Sequence, residues 1–162
     1  MANVYGNQVF VNTGGMCFGE IYCADNTDAV TLNSAAKVQI TDFDANGPAN
    51  NTTPDHTNDH ITITKAGMYL AIVTLSVKNN AAQSHVVTFS IWKNNGAAEF
   101  ANTHVHRTLT GGSTDIGSLS ISAIIDLAAT DTIELWANTD AAADRSVTVV
   151  DCSLSLLQVG GT

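Results

Sequence analysis

The 162 residues read as an all-β chain folded into a two-sheet antiparallel sandwich of jelly-roll type. Period-2 alternation of apolar and polar residues runs through most of the chain. Short turn clusters rich in Asn, Gly and Ser punctuate it at the spacing of sandwiches and barrels. No stretch repeats its apolar residues at helical spacing. Charged residues make up only 13%, against roughly 25% in an average soluble domain, which excludes a coiled coil or charged helical bundle. The 44% of hydrophobic residues supplies a core and argues against disorder.

Strands are expected over residues 17–23, 38–43, 61–64, 68–77, 85–93, 119–127, 132–137 and 147–157, with a weaker one over 99–108. Between them lie Asn46-Gly47-Pro48, Lys65-Ala66-Gly67, Asn79-Asn80, Asn94-Asn95-Gly96 and Gly111-Gly112-Ser113, residues that tolerate the backbone of tight turns. Residues 1–16 lack sustained alternation. They read as an extended N-terminal arm, with Val4, Tyr5, Val9, Phe10 and Val11 able to dock on a larger assembly, ahead of a jelly-roll domain over 17–162.

Alternation also assigns faces. Leu119, Ile121, Ala123 and Ile125 share one face, and Ser118, Ser120 and Ser122 the other, as in a half-buried strand. The strand over 68–77 differs: Tyr69, Ala71, Val73, Leu75 and Val77 form one apolar face, while Met68, Leu70 and Ile72 make the opposite face apolar too. Strands apolar on both faces are covered on both sides, and a sandwich covers only one. The economical cover is a second copy of the chain, with a loop folded over the sheet as the alternative. Leu70, Ile72, Ile124 and Leu156 are the expected interface residues.

Six Lys and Arg against fifteen Asp and Glu give a net charge of −9 and a pI near 4.6. Nucleic-acid binding needs clustered cations to displace counterions, and anionic membranes need the same, so neither is an expected partner. No run approaches the ~20 apolar residues of a spanning helix. The opening residues carry no basic and apolar regions of a secretion signal. Cys17, Cys23 and Cys152 are odd in number and lack metal-type spacing. On one strand Cys17 and Cys23 would stand about 20 Å apart, too far to bridge. All three are expected as free thiols of a protein made in a reducing cytoplasm.

Two patterns touch on metal chemistry. Asp42, Asp44 and Asn46 followed by Gly47 reproduce the opening of a calcium loop, yet its twelfth position is Thr53 and no helices flank it, so a strand ending in an Asn-Gly turn is the expectation. His104 and His106 share a strand face at a chelating spacing, without a third ligand nearby, and are expected as exposed strand histidines. No cofactor is implied. There is no G-x-S-x-G elbow and no phosphate-binding glycine loop, so the chain is not expected to be an enzyme.

The order of features resembles one family. The run from Ile61 through Gly67 and Tyr69 to Ile72 resembles the strand–Gly–x–Tyr–strand segment of the tumour-necrosis-factor and complement-head jelly rolls. Ile91, Trp92, Lys93, Asn94, Asn95 and Gly96 resemble their strand–Lys–Asn–Gly turn. Leu127, Asp131, Ile133 and Leu135 are similar to the hairpin Leu–x–x–Gly–Asp–x–(Val/Ile)–x–Leu, and the stretch from Cys152 to Gly160 to the last strand. The resemblance covers about residues 35–160. It departs at Thr130, where the hairpin glycine is expected, and at Ala71, where an aromatic is.

The resemblance implies a compact homotrimer with its threefold axis along the inner sheets, Tyr69 pointing into the subunit core and Leu70 and Ile72 facing the axis. Among such trimers the chain is most similar to phage virion versions. The function this implies is a capsid decoration (cement) protein, made in the host cytoplasm, that binds the major capsid protein lattice on the outer virion surface. The alternative is a head module, a phage fibre head or extracellular complement-like domain, reading a receptor or glycan with loops over 44–59 and 104–118.

Overall fold

The computed structural model describes residues 15–161. Val4, Tyr5, Val9, Phe10 and Val11 of the expected arm lie outside them. The described chain forms β1 (Phe18–Cys23), β2 (Val30–Leu32), β3 (Val38–Gln39), β4 (Ala45–Asn46), β5 (Thr52–Asp55), β6 (His60–Ile63), β7 (Gly67–Asn79), β8 (His85–Lys93), β9 (Ala98–Glu99), a 3₁₀ turn (Ala101–Thr103), β10 (Val105–Leu109), β11 (Ile116–Leu127), β12 (Thr132–Thr139) and β13 (Arg145–Gly161).

Two antiparallel sheets stack. The first runs β11-β7-β13-β1-β4 with β2 beside β13, and the second β10-β8-β12-β6-β5 with β3 beside β12 and β9 beside β8. Sequence neighbours β7 and β8 lie in different sheets, as do β10 and β11, so the chain alternates between layers in jelly-roll fashion. The long strands carry the alternation that the sequence shows: β11 reads exposed-buried along its whole length. Tyr69, Phe89, Ile61, Ile63, Ile91, Leu127, Ile133 and Leu135 fill the space between the layers, and the Tyr69 hydroxyl donates to the Lys65 carbonyl at 2.7 Å.

Two expectations change. The strand over 38–43 ends at Gln39, because the chain there leaves the second sheet for the first: the Ile40 N–H still reaches the Leu135 carbonyl, while the Asp44 N–H bonds the Tyr22 carbonyl. The loop over 44–59 contains β4 and β5, the latter holding Pro54 on the edge of its sheet, where a missing N–H costs no ladder bond. Likewise β10 and the start of β11 occupy most of 104–118.

The hairpin before β12 is built without its glycine. Thr130 itself adopts φ 75°, donates its N–H to the Ile63 carbonyl at 2.7 Å, and leads into Asp131. Burial pushes the Asp131 carboxyl up, but hydrogen bonds from Asn94, the Ala128 N–H and Lys93 outweigh it and hold the carboxyl below its ordinary range. That carboxylate ties the hairpin to the turn after β8.

Candidate interaction surface

The outer face of the first sheet is divided along the strands. Ile124 pairs with Leu70, Leu70 with Leu157, and Leu157 with Phe18, so four apolar side chains align in one row across β11, β7, β13 and β1. The next row runs Ser122, Ile72, Ser155, Glu20, and the one after it Ser120, Thr74, Ser153, Tyr22. Ser118 and Ser76 continue the series. The first of these rows is therefore aliphatic and aromatic, and the others are mostly hydroxyls, with Ile72 and Glu20 among them and Ile116 and Lys78 beyond. Glu20 is held flat among the hydroxyls, its Oε1 accepting Ser153 and Ser155 at 2.8 and 3.1 Å. Ile124 is 55% exposed, Ile72 beside the row is 38% exposed, and Leu70, Leu157 and Phe18 are part-exposed, so no described loop fully seals the row.

Leu70, Ile72 and Ile124 thus stand together on this face. Leu156 does not: it is 2% exposed, pairs with Ala71 and packs in the core. Alternation from Cys152 turns Leu154 and Leu156 inward, so Leu157 takes the outer position. Leu157 and Phe18 were not legible as face residues. Three leucines crowd the end of β13, and only pairing with β7 and β1 assigns their sides.

Toward the hydroxyl end, the face sinks into a hollow of about 760 Å³ lined by Glu20, Tyr22, Thr74, Ser76, Ser118, Ser120, Asp151 and Ser153, with Cys23 and Cys152 among its lining.

The outer face of the second sheet carries a different cluster, which sequence reading did not single out. Trp92 and Trp136 pack with ring centroids 5.6 Å apart, and the Lys37 ammonium lies 4.9 Å over the Trp92 ring. Glu99 Oε1 accepts Lys37, Ser90 and His104. The Trp92 indole N–H also reaches Ser90. Lys37, Ser90, Glu99, His104 and Trp92 satisfy one another, while the buried Trp136 indole N–H has no hydrogen-bond partner.

The metal candidates do not converge. His104 is engaged by Glu99 and His106 by Thr88 Oγ1 at 2.8 Å. Asn46 spends its carbonyl on the His56 N–H and Asp44 is exposed. Asp42 is part-buried, and burial, with Asp28 and Asp59 nearby, pushes its carboxyl up to about 6. Among the described residues, no group of three His, Cys, Asp or Glu is placed to hold a metal ion.

The layer order and the connections between sheets define a tumour-necrosis-factor-like jelly roll. The Eiger TNF of S. frugiperda superposes with a TM-score of 0.59 at 16% identity, covering 91% of this chain and 94% of that one. The globular domain of zebrafish complement 1qA superposes at 0.55 with 9% identity, covering 90% and 99%. At these identities the likeness is one of fold. No protein-family model matches the sequence, and no curated protein matches it significantly.

Proposed function

We propose that the chain is a non-enzymatic head module that works as a homotrimer, joined through the outer face of its first sheet. The observation that carries this reading is the aligned Ile124–Leu70–Leu157–Phe18 row. Exposed apolar side chains scattered singly are ordinary, whereas a contiguous row on a mostly hydroxylated face is the mark of an association surface. Burying it gains about 25 cal/mol per Å² of apolar surface. The resemblance in sequence supports three copies, because in such trimers the positions of Leu70 and Ile72 face the threefold axis.

Light scattering and sedimentation test it directly. The native chain of 16.9 kDa is expected at three times its mass, and Leu70→Asp is expected to give monomers or insoluble protein. A native monomer, or an unchanged Leu70→Asp trimer, overturns the reading.

The finer reading concerns what the head binds. A capsid lattice, with the protein on the outer virion surface, is favoured by the apolar residues Val4, Tyr5, Val9, Phe10 and Val11 set ahead of the sandwich. Neither structural neighbour named above is a virion protein, so this partner rests on sequence alone. Deleting residues 1–16 is expected to leave trimers intact and abolish co-sedimentation with capsids. Retained capsid binding removes the arm from the reading, and a native protein that ignores capsids but retains a receptor or glycan favours the head-module alternative.

A further inference from the structure

Cys23 and Cys152 stand directly opposite each other on the paired strands β1 and β13. Both side chains turn into the sandwich beside Ile21 and Leu154, and both are 3% exposed. The ladder they belong to carries the Gln158 N–H to the Cys17 carbonyl. Alternation then places Cys17, Gly19, Ile21 and Cys23 at the hydrogen-bonded positions of the pairing. Opposed Cα atoms at such positions lie about 5.5 Å apart, inside the roughly 4.4–6.8 Å window that a disulfide spans, while the opposed Cβ atoms, about 5.5 Å apart, must draw in by about 1 Å to reach the disulfide range. Cys17 has a different surrounding: it lies opposite Gln158 and against the Tyr69 hydroxyl.

The two thiols point away from the hollow on the outer face of the first sheet, which Cys23 and Cys152 line only from behind, so the bond forms most readily before the sandwich closes over them. On its other side, β1 is held by the two-residue β4, by the bridge from Phe18 to Asn50, and by the Thr52 hydroxyl donating to the Phe18 carbonyl.

We propose that Cys23 and Cys152 are the two halves of a cross-strand disulfide that forms within one subunit by exchange with a small-molecule disulfide such as oxidised glutathione. All three thiols are free and buried in this structure, as the sequence suggests; the proposal concerns the oxidised state of the Cys23 and Cys152 pair and leaves Cys17 reduced. The thiolate of one cysteine attacks a sulfur of glutathione disulfide, breaking its S–S bond and releasing one glutathione thiolate. The thiolate of the other cysteine then attacks the protein sulfur of the mixed disulfide, forming the Cys23–Cys152 bond and releasing the second glutathione. The two protein thiols lose two electrons and two protons, and two glutathione thiols gain them. Exchange in the folded chain is slow. Burial pushes the Cys23 thiol up to about 11, with Asp44 adding to it, and burial pushes Cys152 well above its ordinary value, so thiolate is scarce. The bond pins β1, which carries Phe18 and Tyr22, to the central strand β13.

The inference does not depend on the trimer. The native chain is refolded from denaturant in a buffer of reduced and oxidised glutathione, then digested without reduction and mapped by mass spectrometry. A parallel sample of folded protein is incubated with oxidised glutathione. The expected result is a linked pair of peptides holding Cys23 and Cys152, a mass loss of about 2 Da for two hydrogens, and free thiols falling from three to one. Cys17→Ser is expected to keep the linkage, and Cys152→Ser to abolish it. Peptide mapping of the native chain decides the matter even if Cys152→Ser fails to fold. Three remaining thiols after refolding, glutathione adducts without a linked pair, or a linkage that uses Cys17 overturns the proposal.

Discussion

The buried carboxylate of Glu134 accepts the backbone N–H of Asn95 at 3.0 Å, fastening β12 to the turn that follows β8. It also lies 3.4 Å from the Gly96 N–H. Asn94, Asn95 and Gly96 all adopt left-handed backbone, φ 57°, 57° and 76°, and the two carboxylates Glu134 and Asp131 hold that arrangement from the neighbouring strand. Glu134→Ala is therefore expected to lower stability by about 2 kcal/mol, the worth of hydrogen bonds made to a charged acceptor. Denaturant unfolding measures it; a change within about 0.5 kcal/mol, the scale of surface substitutions, would show that the turn holds itself.

Thr130 is strained where its relatives in pattern carry glycine. A β-branched residue at φ 75° suffers the clash that costs about 1–2 kcal/mol in the left-handed region. Glycine returns part of that as greater freedom of the unfolded chain. Thr130→Gly is expected to stabilise the protein by about 0.5–1 kcal/mol, read as a higher denaturation midpoint at unchanged slope. A lower midpoint contradicts the strain.

Acid should strengthen this fold before it harms it. Burial pushes both Asp42 and Asp59 up to about 6, with carboxylates nearby adding to it. Their folded values lie above the ordinary 3.8, so the folded chain binds more protons than the unfolded one between about pH 4 and 6. The stabilisation is complete below the unfolded value and is lost as pH rises through about 6. Thermal melts across that range are expected to fall with rising pH, and Asp42→Asn is expected to flatten the curve and raise the neutral-pH midpoint. A melt that rises with pH in both proteins would refute the assignment.

Neighbouring positions on β7, β11 and β13 should separate core from surface. Leu156→Ala removes a core side chain and is expected to cost about 2–5 kcal/mol. Ile124→Ser, more than half exposed, is expected to leave the unfolding of isolated subunits within about 0.5 kcal/mol and to weaken self-association. Sedimentation together with denaturant unfolding checks both. A loss of fold in Ile124→Ser would place that side chain in the core.

How much was legible follows from how each segment is buried. β11 announced itself, since Leu119, Ile121, Ala123 and Ile125 face the core and serines face out. Leu70 and Ile72 were legible because β7 is apolar on both faces. β4 and β5 were not, because Ala45, Asn46 and the Thr-Thr-Pro run form edge strands whose side chains pack little. The end of β13 was misread at Leu156, because the register shift between Val149 and Asp151 moves the buried positions from Val147 and Val149 to Cys152, Leu154 and Leu156. Cys23 and Cys152 lie at opposite ends of the chain, and only the fold makes them neighbours. Trp92 and Trp136 meet for the same reason, across β8 and β12.

The uneven outer face of the first sheet gives the subunit a head and a foot. In the proposed trimer, copies that match greasy foot to greasy foot would be held in parallel, since inverting one would set Leu70 and Leu157 against a bed of serines. Such a body would have two unlike poles, and whatever it met at one pole it would not meet at the other.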